Sequence, residues 1–225
     1  MKTKRYLLAM MLAGVLMISF GCAEKKSSLA KKTDNEQVSQ VETGDAVVTI
    51  EGTTLTYADM EFYTFIQKLK NESNRIADAK HLQGKDLEKS EAYWNMQNEH
   101  YEKTNAQLQH MIEIHSMSLL AEEKNYFVPD DQLNEAVEEL KLVIESNEVL
   151  KKMLNDYGEK NFRLSIPNYM RESLLRDRIA NDLEKTVLDE IPDASEQELK
   201  YEVNTRYDEL AMEQLSSLEM KIHLK

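Results

Sequence analysis

Between Asn105 and Ile144 apolar residues, with one histidine among them, recur at intervals of three and four. The first set is Leu108, Met111, Ile112, His115 and Leu119; past Pro129 come Leu133, Val137, Leu140 and Ile144. That spacing lines side chains along one side of an α-helix. Pro129 cannot donate an amide to a helix already running, so the pattern predicts two amphipathic helices. The first ends near Asn125 and the second starts at or just before Pro129. Asp130 and Asp131 then fall in the first turn of the second, where carboxylates face unpaired amides and the positive end of the helix dipole. The pair cannot bury both apolar sides alone, so other segments must pack on it.

The remaining pattern is read outward from this pair. Val47, Val48, Thr49 and Ile50 are β-branched and bounded by Asp45 and Gly52, which predicts a strand over Ala46–Ile50, a tight turn at Glu51 and Gly52, and a very short return strand over Thr53–Leu55. Thr56, with Asp59 three residues on, starts a helix that is buried at first and wet toward Asn74. Residues 75–90 lack an apolar period and read as a loop or frayed helix. From Glu91 a helical pattern resumes and runs toward the central helix, with Trp94, Tyr101, Leu108 and His115 seven apart. Two accounts fit it: a long helix lying across a partner, or, more simply, the less buried end of the central helix.

Val149, Leu150, Met153, Leu154 and Tyr157 predict a short helix closed by Gly158. A longer one follows with Pro167 near its start, carrying Ile166, Met170, Leu174, Ile179, Leu183 and Val187. Ile191-Pro192-Asp193 stops it, and Ser195 with Glu198 is a capping box for the last helix. Beyond it the period changes to two: Leu218, Met220, Ile222 and Leu224 alternate with Glu219, Lys221, His223 and Lys225. A lone strand leaves its backbone unpaired, so this one should pair with Ala46–Ile50 and bury its apolar row against the helices. The fold class expected is mainly α, with a small β-pairing between the N- and C-terminal strands.

The N-terminus adds a membrane. Lys2, Lys4 and Arg5 precede an apolar run of 15 residues ending at Gly21, too short for an ordinary span and followed by Cys22, the one cysteine of the chain. This resembles a bacterial lipoprotein signal, in which Gly21 is the last residue removed and Cys22 becomes the acylated first residue; Ser19 stands where that signal usually has Leu. The resemblance implies a signal over residues 1–21 and a lipid anchor on the extracytoplasmic face. Residues 22–45 are Ser-, Lys-, Glu- and Gln-rich without apolar period and read as a flexible tether. Residues 46–225 read as one domain, stabilised by packing because no second cysteine exists to form a disulfide.

Charge narrows the partners. The chain has 28 basic and 41 acidic residues, a net charge of −13, and the signal holds three of the basic ones. A clustered basic face, which phosphate binding needs, is absent, so nucleic acid is not an expected partner. Catalytic or cofactor chemistry finds no pattern to support it. His110 and His115 lie about 500° apart around a helix and do not converge on one ion, and the six glycines are scattered singly, without a phosphate-loop spacing. No cofactor, metal site or catalytic residue is expected. The aromatics are the remaining candidates. Phe62, Phe65, Trp94 and Tyr101, together with Met117, are of the types that form polypeptide-binding surfaces. Core packing is the simpler account of the same residues.

The order of elements also resembles a family. VVTIEG, TTLTYADMEFYTF, a long helix ending AEEKNYF, then VPDDQLNEAVEELK, GEKNF, MRESLLRDRIANDLEKTVLDEI and SEQEL are together similar to the N-terminal chaperone region of SurA- and PrsA-type exported foldases. Glu51-Gly52 stands where the family has Asn-Gly, and Val128-Pro129-Asp130 where it has Val-Thr-Asp. The likeness covers about residues 46–200. In the family a parvulin-type prolyl isomerase domain follows the SEQEL position, whereas here 25 residues follow Lys200. The resemblance therefore implies a tethered, non-catalytic, SurA N-terminal-like helical domain that holds unfolded or partly folded exported polypeptides. The alternative is a dedicated adaptor lipoprotein of an envelope or sporulation complex, binding one folded partner.

Overall fold

Val47 and Val48 are adjacent, yet both are wholly inaccessible in the computed structural model, which describes residues 45–224. The cause is a bulge. β1 (Ala46–Ile50) pairs antiparallel with β2 (Thr53–Thr56), and the register slips between Ala46 and Val48, so alternation is interrupted where the strand enters the core. Glu51 and Gly52 both have positive φ, 46° and 81°, the backbone of a two-residue hairpin turn.

β3 (Met220–Ile222) lies on the other side of β1, also antiparallel, giving the order β2-β1-β3. The pairing is lengthened by the Glu51 amide donating to the Glu219 carbonyl at 3.0 Å and the His223 amide to that of Val47 at 2.8 Å. The two ends of the domain thus meet as the change of period predicts. The apolar row is not buried evenly, however. Leu218, Met220 and Leu224 pack partly against the core, while Ile222 is 55% exposed. The reason is position: the helix next to the sheet lies over β1 and β2, and β3 is an edge. His223, expected on the wet face, is half-buried with Nε2 2.9 Å from the Thr49 hydroxyl.

α1 (Tyr57–His81) starts at a capping box: the Thr56 hydroxyl accepts from the Asp59 amide at 3.3 Å, and the Asp59 carboxylate accepts from the Thr56 amide at 2.8 Å. It continues well beyond Asn74, and α2 (Lys85–His100) folds back along it after a turn at Gly84. Residues 75–90 are therefore mostly helical. Their signal was invisible as periodicity because polar pairs hold the hairpin. Asn71 donates to Asn98 at 3.0 Å, the Trp94 indole to Asp78 at 2.8 Å, Ser90 to the same carboxylate at 2.5 Å, and Lys68 pairs with Glu102.

The helix expected to run unbroken from Glu91 is interrupted at residues 101–103, and α3 spans Thr104–Glu123. Trp94 and His115 therefore belong to different helices, and the seven-residue spacing is no single seam. α3 is the centre of the bundle, packed by α1, by α6 (Glu159–Glu190) and by α7 (Glu196–Ser217). It ends where expected, with Asn125 at φ 61°, and Pro129 caps α4 (Asp130–Glu145). Of the corner between them, Val128 is buried and Phe127 is 70% exposed. α5 (Glu148–Tyr157) is capped by the Asn147 side chain and closed by Gly158 at φ 101°.

α6 then begins at Glu159, so Pro167, expected near its start, lies inside the helix. The proline is accommodated because Pro167 and Arg163, whose carbonyl loses its helical donor, are both exposed, so water can serve that carbonyl. The Ser195–Glu198 capping box is formed as read. The domain is thus mainly helical, seven described helices beside one small antiparallel sheet.

Candidate functional site

Four of the five candidate binding residues lie in the core. Phe62 and Met117 are 1% and 0% exposed, Tyr101 is 3% and Phe65 is 9%. Phe62 sits among Phe65, Tyr157, Phe162 and Tyr169 at centroid distances of 5.8–6.3 Å, and Phe65 stacks on Tyr157 at 4.3 Å. Burying these rings against one another stabilises the bundle, and a buried ring cannot touch a polypeptide without opening it. The surface reading is corrected accordingly for Phe62, Phe65, Tyr101 and Met117. Trp94 is half-buried, its indole N–H committed to Asp78. The structure does not bring these five together. Cys22 lies outside the described residues.

Two polar assemblies run through the interior. In the first, the Tyr63 hydroxyl donates to one carboxylate oxygen of Glu172; His115 Nδ1 lies 3.0 Å from the other oxygen, and Asn168 donates to that oxygen at 3.4 Å. Burial, reinforced by the Glu172 carboxylate, holds the Tyr63 hydroxyl far above its usual range. Among the described residues His115 Nε2 is buried without a partner. A Tyr–Glu–His array has the groups needed for proton transfer, and here Tyr63, His115 and Glu172 are all buried and join α1, α3 and α6. It acts as a three-helix cross-link.

The second assembly centres on Arg176, whose guanidinium donates to Asp177 at 2.6 and 3.1 Å. Burial opposes the Arg176 charge, and Asp177, Tyr207, Tyr169 and Glu113 outweigh that opposition. Tyr207 donates to Glu113 at 3.1 Å, and burial pushes the Glu113 carboxyl upward. Burial also pushes His110 down to about 3, with Arg176 and Lys70 acting in the same direction.

That displacement predicts a pH dependence. A histidine whose folded value lies below its unfolded 6.5 binds a proton more readily in the unfolded chain, so stability falls as pH drops from about 6.5 toward 3. At pH 5 the loss is about 2 kcal/mol. Glu113, displaced upward, works against it, because acidification relieves its buried charge. Comparison with His110→Phe isolates the histidine. Denaturant titrations at pH 7 and 5 should show the variant losing about 2 kcal/mol less than the native chain, and equal losses would exclude His110 as the acid-sensitive group.

The accessible feature is a groove where α1, α4 and α6 diverge. Its walls are Ile66 and Leu69 from α1, Ala136, Leu140 and Val143 from α4, and Met170 and Leu174 from α6; Leu150 and Tyr169 also line it. Leu140, Val143 and Met170 are half-buried, so the lips are open, and the cavity is about 120 Å³. Lys70, Glu139 and Asp177 are its charged groups. The Lys70 ammonium donates to the Tyr169 hydroxyl at 3.2 Å and lies 5.5 Å from the centre of that ring. A larger hollow of about 750 Å³ beside Ile191, Pro192 and Tyr201 is shallow, formed by one link and the first turns of α7, without an opposing wall.

Sequence reasoning placed Leu140, Met170 and Leu174 on apolar stripes but could not show that three stripes leave a gap between them. Glu172 was missed altogether. Its signal was its spacing from Ile166, Tyr169 and Ile179, which makes it a charge on an apolar side. Among the described residues no cluster of His, Cys, Asp or Glu could hold a metal ion, and no helix is long and apolar enough to cross a membrane. No family model, curated protein or solved structure matches the chain.

Proposed function

We propose that this chain is tethered through a lipid on Cys22 to the extracytoplasmic face of the membrane, where it binds unfolded or partly folded exported polypeptides without catalysing a reaction. The observation that carries the reading is the groove between α1, α4 and α6. Its walls are aliphatic, its lips are half-buried, and at about 120 Å³ it is smaller than the roughly 300–1,000 Å³ of sites for small ligands. It has room for one or two aliphatic side chains, the units an unfolded chain presents and a folded one hides. The likeness of the element order to SurA- and PrsA-type chaperone regions supports the same reading.

Residues 22–225 should slow aggregation of an unrelated unfolded protein, and Ala136→Phe, which fills the groove, should lose most of that effect while keeping its melting temperature. A dedicated adaptor for one folded partner would leave the aggregation rate unchanged. So would a domain whose groove is closed in solution, and either result defeats the proposal.

A further inference from the structure

We infer that the groove selects polypeptide segments in which a large aliphatic side chain is flanked by lysine or arginine. This deepens the polypeptide-binding reading and rests on it. The apolar walls specify the anchor, and the charge around them specifies its neighbours. Along α4 the lining residues Ala136, Glu139, Leu140 and Val143 share one side, and Glu135 stands one turn before Glu139 on the same edge. Neither Glu135 nor Glu139 has an ion-pair partner among the described residues, and Lys141, the one basic residue of α4, is taken by Glu138 at 2.7 Å.

The cations near the groove are also committed. Lys70 is turned onto Tyr169, and Arg176 is bound to Asp177. Arg171 lies 4.0 Å from Asp130 and Arg178 donates to Gln132, so both serve the first turn of α4 and leave the stretch from Glu135 to Glu145 acidic. Tyr169 is neutral, so Lys70 keeps its charge and offsets one of the two unpaired glutamates, and the net charge left at the lips is negative. An occupant with acidic flanks would add to it, and one with basic flanks would neutralise it. The chain's net charge of −13 acts in the same direction at longer range, drawing cationic segments toward the domain. Exposed carboxylates attract weakly through water, so the preference is modest and falls with salt.

The test uses residues 22–225 and fluorescent peptides with one central leucine flanked by lysines, by serines or by glutamates. Anisotropy titration at low salt should give the order lysine, serine, glutamate, with about a tenfold gap between the first two. Glu135→Gln combined with Glu139→Gln should close most of that gap while leaving serine-peptide affinity unchanged, and raising the salt should do the same. Equal binding of the lysine and serine peptides would overturn the inference and leave the polypeptide-binding reading standing. So would a lysine preference that survives both substitutions, or sedimentation showing a second copy of the chain in the groove. Absence of binding by every peptide, with no slowing of aggregation, would defeat the underlying reading itself.

Discussion

Removing residues 218–225 is expected to abolish cooperative folding of the domain. β1 is the middle strand, and its Val47, Val48 and Ile50 are 0% exposed, so loss of β3 would open one edge of the most buried strand. The ladder through Thr49 and Lys221, with its flanking bonds at Glu51 and His223, would be lost. Leu218, Met220 and Leu224 would leave the core they partly cover. Full burial of such a side chain is worth about 1.5–3 kcal/mol, so half-burial of three contributes roughly 2–4 kcal/mol. With several hydrogen bonds of about 1 kcal/mol each, the loss approaches the roughly 5–15 kcal/mol by which domains are stable. Point substitutions separate the contributions. Met220→Asp should be strongly destabilising, while Ile222→Asp, at a side chain 55% exposed, should cost less than about 1 kcal/mol. A truncated chain that melts at the native temperature would show that the strand is an ornament of the sheet.

Ile222 also marks where sequence stops being legible. Alternation located β3 and its partner, because a period of two and an unpaired backbone are both local facts. Which row of an edge strand is covered depends on where a helix ends, and nothing within residues 218–225 records that α1 lies over β1 and β2. The caps behaved differently. Thr56 with Asp59, Ser195 with Glu198, and Pro129 were readable because their chemistry is complete within four residues.

The α1–α2 hairpin was the hardest to read. Its contacts are Asn71 to Asn98, and Trp94 and Ser90 to Asp78, polar pairs that leave no stripe. The aromatic residues show the same limit from the other direction. Composition singled out Phe62, Phe65 and Tyr101 as suited to recognition, but a ring serves a core and a contact surface equally well, and only burial distinguishes them. The groove was legible in parts and never as a whole. Each wall is an ordinary amphipathic stripe, and the gap lies where α1 and α4 both pack on α6 without packing closely on each other.

Glu172→Ala is expected to be the most damaging single substitution on α6. The carboxylate accepts from Tyr63 and Asn168 and faces His115 Nδ1 at 3.0 Å, so its removal leaves two polar groups of other helices buried without a partner. Each buried polar group left unsatisfied costs about 1–3 kcal/mol, so losing the shared acceptor of two of them should cost roughly 2–6 kcal/mol, which for a domain of this size is on the order of 10 °C in melting temperature. Glu172→Gln retains an oxygen that Tyr63 can donate to and nearly the same volume, so it should cost about 1–2 kcal/mol. The orphaned hydroxyl supplies the decisive comparison. Tyr63→Phe should destabilise the native chain by about 1–2 kcal/mol, but in the Glu172→Ala background it should be neutral or stabilising, because it removes a donor that no longer has an acceptor. Additive costs in that double-mutant cycle would mean that Tyr63 and Glu172 act independently, and that the three-helix cross-link contributes nothing beyond the packing of its side chains.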